Sequence, residues 1–315
     1  MTDYIEALSK VLPVILLLLL GAVLNRTKFL KPDTVQEIKK LVVNLTLPAV
    51  LFLAFARAEI QPQFLFIVVT IFALCALALI LGVWIRPWTG IQSPQFPTLL
   101  TGFEAGMMGY AIFSAVYGPE NIYKFAVVDL GQVTFVFFVL VPYLERLSSG
   151  PRPFSSTLAN FLRTPVILAI LAGLLANPLG LVGWLESNAI TNSLVVTLAI
   201  IGGLTTPLVA LVIGYEMRLQ RGSLAKPLLT IGLRLLYWVP LGLAISTLLV
   251  GRFLGLDPVF QAAVLTMLIL PPPFVIPLFM QEATETDRTF VVNTLSLATL
   301  ITLFAFALVG TVYPP

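Results

Sequence analysis

Glu104 stands in a glycine-rich stretch, Thr101-Gly102-Phe103-Glu104-Ala105-Gly106-Met107-Met108-Gly109-Tyr110. A carboxylate inside an apolar segment costs about 3 kcal/mol to place at a bilayer centre, so its default reading is functional. Such a group handles substrate, takes a proton, or recruits a hard cation such as Na+ to oxygen ligands. Gly102, Gly106 and Gly109 each weaken a helix by about 1 kcal/mol against alanine. They free the backbone to open around Glu104. The Gly102–Gly106 spacing also suits close approach of a second helix, and for the glycines alone packing is a sufficient reading. Asp129 is the other carboxylate placed within an apolar segment, with Gln132 and Thr134 following it. It suits an outer vestibule, the cap of a broken helix, or a buried structural carboxylate with a hydrogen-bonding partner.

A second unusual stretch, Leu268-Ile269-Leu270-Pro271-Pro272-Pro273-Phe274-Val275-Ile276-Pro277, lies in an apolar run over 259–280. Proline lacks the N–H and crowds the carbonyl four residues back. Pro272 and Pro273 also push the residues before them out of the helical region. The run is therefore expected to enter as a helix, open near its middle and resume. Open backbone inside a membrane is tolerated only within protein or beside a wet cavity, and broken helices at mid-depth build sites in secondary transporters. A proline kink that only shapes packing is the alternative. Asn44 and Thr46 precede Pro48, and Thr205 and Thr206 precede Pro207. These polar groups either contact a ligand or satisfy carbonyls freed by the prolines. Arg234 is expected to snorkel to the inner surface and Glu216 to face solvent. Trp84, Trp88, Trp184 and Trp238 fall near segment ends and read as interfacial anchors.

The elements that carry these residues are membrane spans. Of 315 residues, 58% are hydrophobic and 10% charged, which describes a polytopic all-α membrane protein. There is no histidine and one cysteine, Cys75. That removes the commonest general base, a disulfide framework and a cysteine-based metal site. Ten spans are expected, near 8–25, 40–56, 63–85, 96–118, 122–145, 163–184, 189–215, 227–250, 258–281 and 289–312. The first span is not followed by a small-x-small cleavage site, which argues against a signal peptide.

Two stretches recur in order. Residues 13–25, from Pro13 to Asn25, align without gaps on 165–177, from Pro165 to Asn177, with Gly21 on Gly173. Leu45-Thr46-Leu47-Pro48-Ala49-Val50 pairs with Leu204-Thr205-Thr206-Pro207-Leu208-Val209. The repeating unit is then five spans, and an odd number inverts the second copy. The division is 1–147 for the first repeat, 148–157 for a linker and 158–315 for the second. Broken spans 4 and 9 occupy matching places and are expected to cross. Fourteen of the eighteen lysines and arginines, including Lys28, Arg152, Arg218 and Arg221, lie on the side of the 1–2, 3–4, 5–6, 7–8 and 9–10 loops. That side is expected to be cytoplasmic, with both termini outside.

Leu12-Pro13 with Gly21, the basic loop Asn25-Arg26-Thr27-Lys28-Phe29-Leu30, and the run Leu41-Val42-Val43-Asn44-Leu45-Thr46-Leu47-Pro48-Ala49-Val50-Leu51-Phe52 resemble the auxin efflux carrier family, in its bacterial permease branch. The resemblance implies an elevator-type carrier, with spans 1, 2, 6 and 7 as a scaffold and spans 3–5 and 8–10 as the transport domain. It implies a small organic anion, auxin-like or a mono- or dicarboxylate, bound where spans 4 and 9 cross. A homodimer through the scaffold and a bacterial inner-membrane location go with it. Bile-acid/sodium symporters share the architecture and are the competing family. One departure stands out. Family members often carry an asparagine-containing N-x-G-x-x-G-x-P type sequence in span 4, where this chain has Glu104 and no proline. A fixed negative charge repels an anion unless it is neutralised, so coupling to H+ or Na+ at Glu104 is expected. Gly102, Glu104, Gly106, Gly109, Asp129, Pro271, Pro272, Pro273, Asn44 and Thr205 form the candidate substrate and ion site. No cofactor, nucleic acid or catalytic constellation is expected; a passive channel and a membrane-embedded enzyme are the remaining classes.

Overall fold

The computed structural model describes residues 2–148, 154–217, 223–280 and 283–314. Half of the expected linker, residues 149–153 with Arg152 among them, lies outside the described residues, as do Arg218 and Arg221. Among those described, every regular element is helical. The first half runs α1 (Thr2–Arg26), α2 (Pro32–Leu41), α3 (Leu47–Arg57), α4 (Phe64–Thr89), α5 (Phe96–Leu99), α6 (Tyr110–Tyr117), α7 (Ile122–Phe135) and α8 (Val141–Ser148). The second runs α9 (Phe154–Arg163), α10 (Pro165–Ala176), α11 (Leu181–Glu186), α12 (Ala189–Gly203), α13 (Thr205–Glu216), α14 (Ala225–Ala244), α15 (Pro258–Ile269) and α16 (Glu285–Val312). Wide π-turns at Val42–Thr46 and Val136–Leu140 join α2 to α3 and α7 to α8, and another at Ala105–Gly109 opens α6.

Prolines start several of these helices, where the missing N–H has no helical partner to lose: Pro32, Pro97, Pro165 and Pro258. Side-chain caps set other starts. Asp257 accepts from the N–H of Val259 at 2.9 Å and heads α15; Asn188 accepts from Ile190 at 2.8 Å and heads α12. Among the described residues six continuous helical runs are long and apolar enough to cross a membrane: Pro32–Arg57, Phe64–Thr89, Pro119–Ser148, Ala189–Glu216, Ala225–Phe253 and Glu285–Val312. The pair Thr157–Arg163 and Pro165–Ala176 makes a seventh when counted through its 60° bend. Three shorter apolar helices, Leu12–Arg26, Ala105–Tyr117 and Pro258–Ile269, lie within the expected spans 1, 4 and 9.

The helices gather into two sets of neighbours. In one, α1 packs on α13, and α3 on α10 and α12. In the other, α4 packs on α7, and α14, α15 and α16 pack on one another, with α15 also against α7. Within the first set the two aligned glycines make equivalent contacts with exchanged partners. A Cβ on Gly21 would meet the carbonyl oxygen of Leu211 at 2.2 Å, and one on Gly173 that of Phe52 at 2.7 Å. Leu211 and Phe52 each lie one helical turn after the aligned prolines, Pro207 and Pro48. Neither glycine has room for any side chain, so backbone meets backbone. Thr46 and Thr205, also aligned, touch through their hydroxyls at 3.0 Å.

Candidate functional site

The two expected breaks are present, and they meet. α5 ends at Leu99, and the backbone stays open through Glu104 before the π-turn at Ala105. Gly102 has φ +63°, a left-handed conformation that favours glycine, and a Cβ there would lie 2.7 Å from Cγ of Pro273. α15 ends at Ile269; Leu270 is extended, and only a short 3-10 turn, Ile276–Phe279, follows the prolines. The two open segments are joined directly: the N–H of Glu104 donates to the carbonyl of Pro271 at 2.9 Å.

Four helical ends therefore surround the junction, and their loose backbone groups are claimed by two charged side chains. Oε1 of Glu104 accepts from the N–H of Met107 at 2.9 Å, capping the helix that leads into α6. Oε2 accepts from the N–H of Phe274 at 2.6 Å, on the far side of the prolines. One carboxylate thus ties the segments beyond both breaks, the second of which resumes only as the 3-10 turn and not as the expected helix. The approaching halves are tied by Arg234 of α14. Its guanidinium donates to the carbonyls of Leu99 at 3.1 Å, Gly102 at 2.6 Å and Leu270 at 3.0 Å. It also lies over the ring of Phe103, 4.8 Å from the centroid. A negative group at helix N-termini and a positive group at C-termini each oppose the local dipole.

Arg234 is thus a correction. It does not snorkel; it is 3% exposed and inserted between the two breaks. The physical reason is that three carbonyls without helical partners offer a buried cation more than the surface does. Trp238, one turn further along α14, is a second correction. It is fully buried, its indole N–H donates to the carbonyl of Leu100 at 2.8 Å, and its ring packs on Phe103 at 4.8 Å. Trp84, Trp88 and Trp184 are exposed, as anchors require.

The remaining candidates divide. Gly109 is enclosed, with a Cβ there 2.4 Å from Phe125 and 2.7 Å from Leu270, whereas Gly106 faces open space bounded only by Oε1 of Glu104 at 3.9 Å. Asp129 is buried on α7 and accepts from the hydroxyl of Tyr110 at 2.9 Å and from Nε2 of Gln132 at 3.2 Å. The same Nε2 donates to the carbonyl of Phe103 at 3.0 Å, one residue from Glu104. Asn44 is not part of the junction: it is exposed and its amide caps the carbonyl of Lys40 at 2.8 Å. Glu216 does not stand free in solvent. It pairs with Lys39 at 2.9 Å. Among the described residues no group of three or more Cys, Asp or Glu side chains gathers to hold a metal ion.

Two cavities flank this region. One, of about 500 Å³, takes residues from Val50 to Arg57 at the C-terminal end of the Pro32–Arg57 run, together with Thr205 and Thr206, and faces Tyr110, Ser114 and Glu120. The other, of about 460 Å³, takes Pro32, Val35, Gln36 and Lys39 at the opposite end of that run with Glu216, and faces Phe274, Pro277 and residues of α16. Each lies between the two sets of helices. Thr205 belongs to the first cavity, and Phe274, bonded to Glu104, to the second.

The site thus consists of apolar helices, two of them broken and tied together, with cavities at opposite ends of the Pro32–Arg57 run. Residues 6–150 match the family described as Membrane transport protein. The chain is 27% identical over 143 residues to an uncharacterized transporter, YfdV, of Escherichia coli (strain K12), and equally to its counterparts in Escherichia coli O157:H7 and Shigella flexneri. Each alignment covers 42% of this chain and 42% of the relative, less than half the length of either. The family match lies in the first half of the chain and supports the resemblance to the auxin efflux carrier family.

Proposed function

We propose that the protein is a secondary active carrier for a small organic anion, working by elevator-type alternating access in a bacterial inner membrane. The observation that carries this is the double hydrogen bond of Glu104, whose carboxylate holds the N–H groups of Met107 and Phe274 where the two breaks meet. Those N–H groups are what a substrate carboxylate would seek. Glu104 already sits on them. An anion binds there once Glu104 is neutralised by a proton, or by Na+ approaching through the space beside Gly106. Neutralisation then both removes repulsion and frees an N–H donor, which couples the ion to the substrate. The cation end, Arg234, stays in place throughout.

The exchanged contacts of Gly21 and Gly173 and the self-contact of Thr46 with Thr205 support two inverted five-span repeats. The closest packing, of α1 on α13 and α3 on α10 in one set and of α4 on α7 in the other, supports a scaffold and a moving domain, with α1 against α16 and α3 against α7 and the two cavities on their boundary. Ten spans with both termini outside, and dimerisation through the scaffold, complete the reading.

The first test is a thermal-shift screen of the purified chain against organic acids, with pH and Na+ varied, since a ligand of the native state raises stability with the logarithm of its concentration. Counterflow in proteoliposomes with the acid so found then decides the mechanism. One-for-one exchange of labelled for unlabelled acid is expected. Flux with no exchange makes the protein a channel, and no response to any carboxylate removes the anion. In the exchange assay Glu104→Gln is expected to keep exchange while losing accumulation driven by the ion gradient.

A further inference from the structure

We propose that Asp129 is a second proton-binding site, reached from the first cavity through Tyr110 and reported to the break after α5 by Gln132. The proposal rests on the protein being a transporter, and on neither the anion nor the role of Glu104.

Tyr110 lines the first cavity, and its hydroxyl donates to Oδ2 of Asp129 at 2.9 Å. Oδ1 accepts from Nε2 of Gln132 at 3.2 Å. Both partners donate, which is the pattern an ionised carboxylate requires. Yet Oε1 of Gln132 is buried with no hydrogen-bond partner, and Gln132 is only 4% exposed. Buried acceptors are rarely left empty, and an empty one calls for a donor. Protonated Asp129 supplies one once the amide turns, the amide N–H₂ taking the position that Oε1 leaves. Turning the Gln132 amide end for end places Oε1 where Nε2 now sits, so that it accepts from the Asp129 O–H. The two orientations of one amide thus match the two protonation states of one carboxyl.

The turn has a consequence at the junction. Nε2 also donates to the carbonyl of Phe103 at 3.0 Å, and that bond is lost when oxygen replaces nitrogen there. The open backbone next to Glu104 is therefore held when Asp129 is ionised and loosened when it is protonated. Proton balance is simple. The Tyr110 hydroxyl hands its proton to Oδ2, a hydronium ion in the cavity returns one to the phenolic oxygen, and a half-turn of the carboxyl group carries the new O–H round to Gln132. No other bond breaks.

The titratable and charged groups around Asp129 fit this use. On its own helix Lys124 is taken by Asp257 of α15 at 2.9 Å. Tyr110 comes from α6, Glu104 of the first break is close enough to act on Asp129 electrostatically, and Asp129 in turn acts on the buried Cys75 of α4. Toward the mouth of the cavity stand Glu120, next to the start of α7, and Arg57 of α3, which pairs with Glu186. Among the described residues no side-chain cation lies within salt-bridge distance of Asp129, which leaves room for a proton.

The test needs no substrate. The full chain in lipid nanodiscs is titrated while the carboxylic-acid C=O infrared band is followed, in wild type, Asp129→Asn, Tyr110→Phe, Gln132→Leu and Glu104→Gln. One titrating band is expected to vanish in Asp129→Asn, persist in Glu104→Gln, and shift in both Tyr110→Phe and Gln132→Leu, since the band frequency reads the hydrogen bonds on the group. A folded Asp129→Asn protein that keeps every wild-type band overturns the proposal. Should that variant not fold, titrating bands that shift in neither the Tyr110 nor the Gln132 variant overturn it equally. Persistence of the band in Glu104→Gln keeps this result separate from the outcome of the exchange assay.

Discussion

At one end of the junction an arginine takes three carbonyls; at the other a glutamate takes two amides. Both side chains do the same structural job, closing helical ends that the breaks leave open. They differ in what can be undone. A guanidinium donates in any compartment a cell offers, whereas a carboxylate turns from acceptor into donor when it takes a proton. The arginine end is therefore a fixed pin, and the glutamate end is a clasp. A junction that must stay together while its charge changes needs one of each.

Arg234→Met tests the pin and is expected to have the largest effect. It leaves three buried carbonyls without donors, at about 1–3 kcal/mol each before relaxation, so the folded state should lose about 3–5 kcal/mol. Thermal unfolding in detergent measures it, and a midpoint unchanged from wild type would break the comparison. Gly102→Ala comes next. It forces alanine into a left-handed conformation and its Cβ onto Pro273, for about 2–3 kcal/mol by the same measurement. Loss of tight contact between the breaks should accompany it.

Glu104→Gln sharpens the difference between the two ends. The amide accepts one N–H and presents its own N–H₂ to the other, so a cost of about 1–2 kcal/mol is expected, well below that of Arg234→Met. If the two variants destabilise equally, the glutamate is a pin as well. Gly106→Ala should be the mildest. Its Cβ meets only the carboxylate oxygen at 3.9 Å, and stability should stay within about 1 kcal/mol of wild type. Transport is the informative readout there: a drop at unchanged stability means the space beside Glu104 is used.

The breaks were legible because proline and glycine act locally: Pro271–Pro273 cannot be helical, and the break after α5 falls at Gly102. The capping role of Glu104 was legible too, though unread, since its spacing from Met107 is that of an N-cap to its third residue. Arg234 was not legible. The carbonyls that hold it belong to residues far away in the chain, and a lone arginine inside an apolar helix satisfies the pattern of a surface-seeking side chain equally well. Trp238 failed for the same reason, its partner being Leu100. Asp129 and Gln132 could be singled out as polar groups in an apolar helix, but the tyrosine and the Phe103 carbonyl that turn them into a network come from another helix. The π-turns left no mark in composition at all.

The pinning of two breaks by one residue of α14 also bears on how the chain is made. Leu99 and Gly102 are synthesised well over a hundred residues before Arg234, and Leu270 after it. The first broken helix thus enters the bilayer with carbonyls that no finished part of the chain can cap, and it must wait. Until α14 arrives, that segment is a client for the insertion machinery or for lipid-borne water. Chains cut short before α14 should be recognised as faulty and degraded, although their helices α1–α13 are complete.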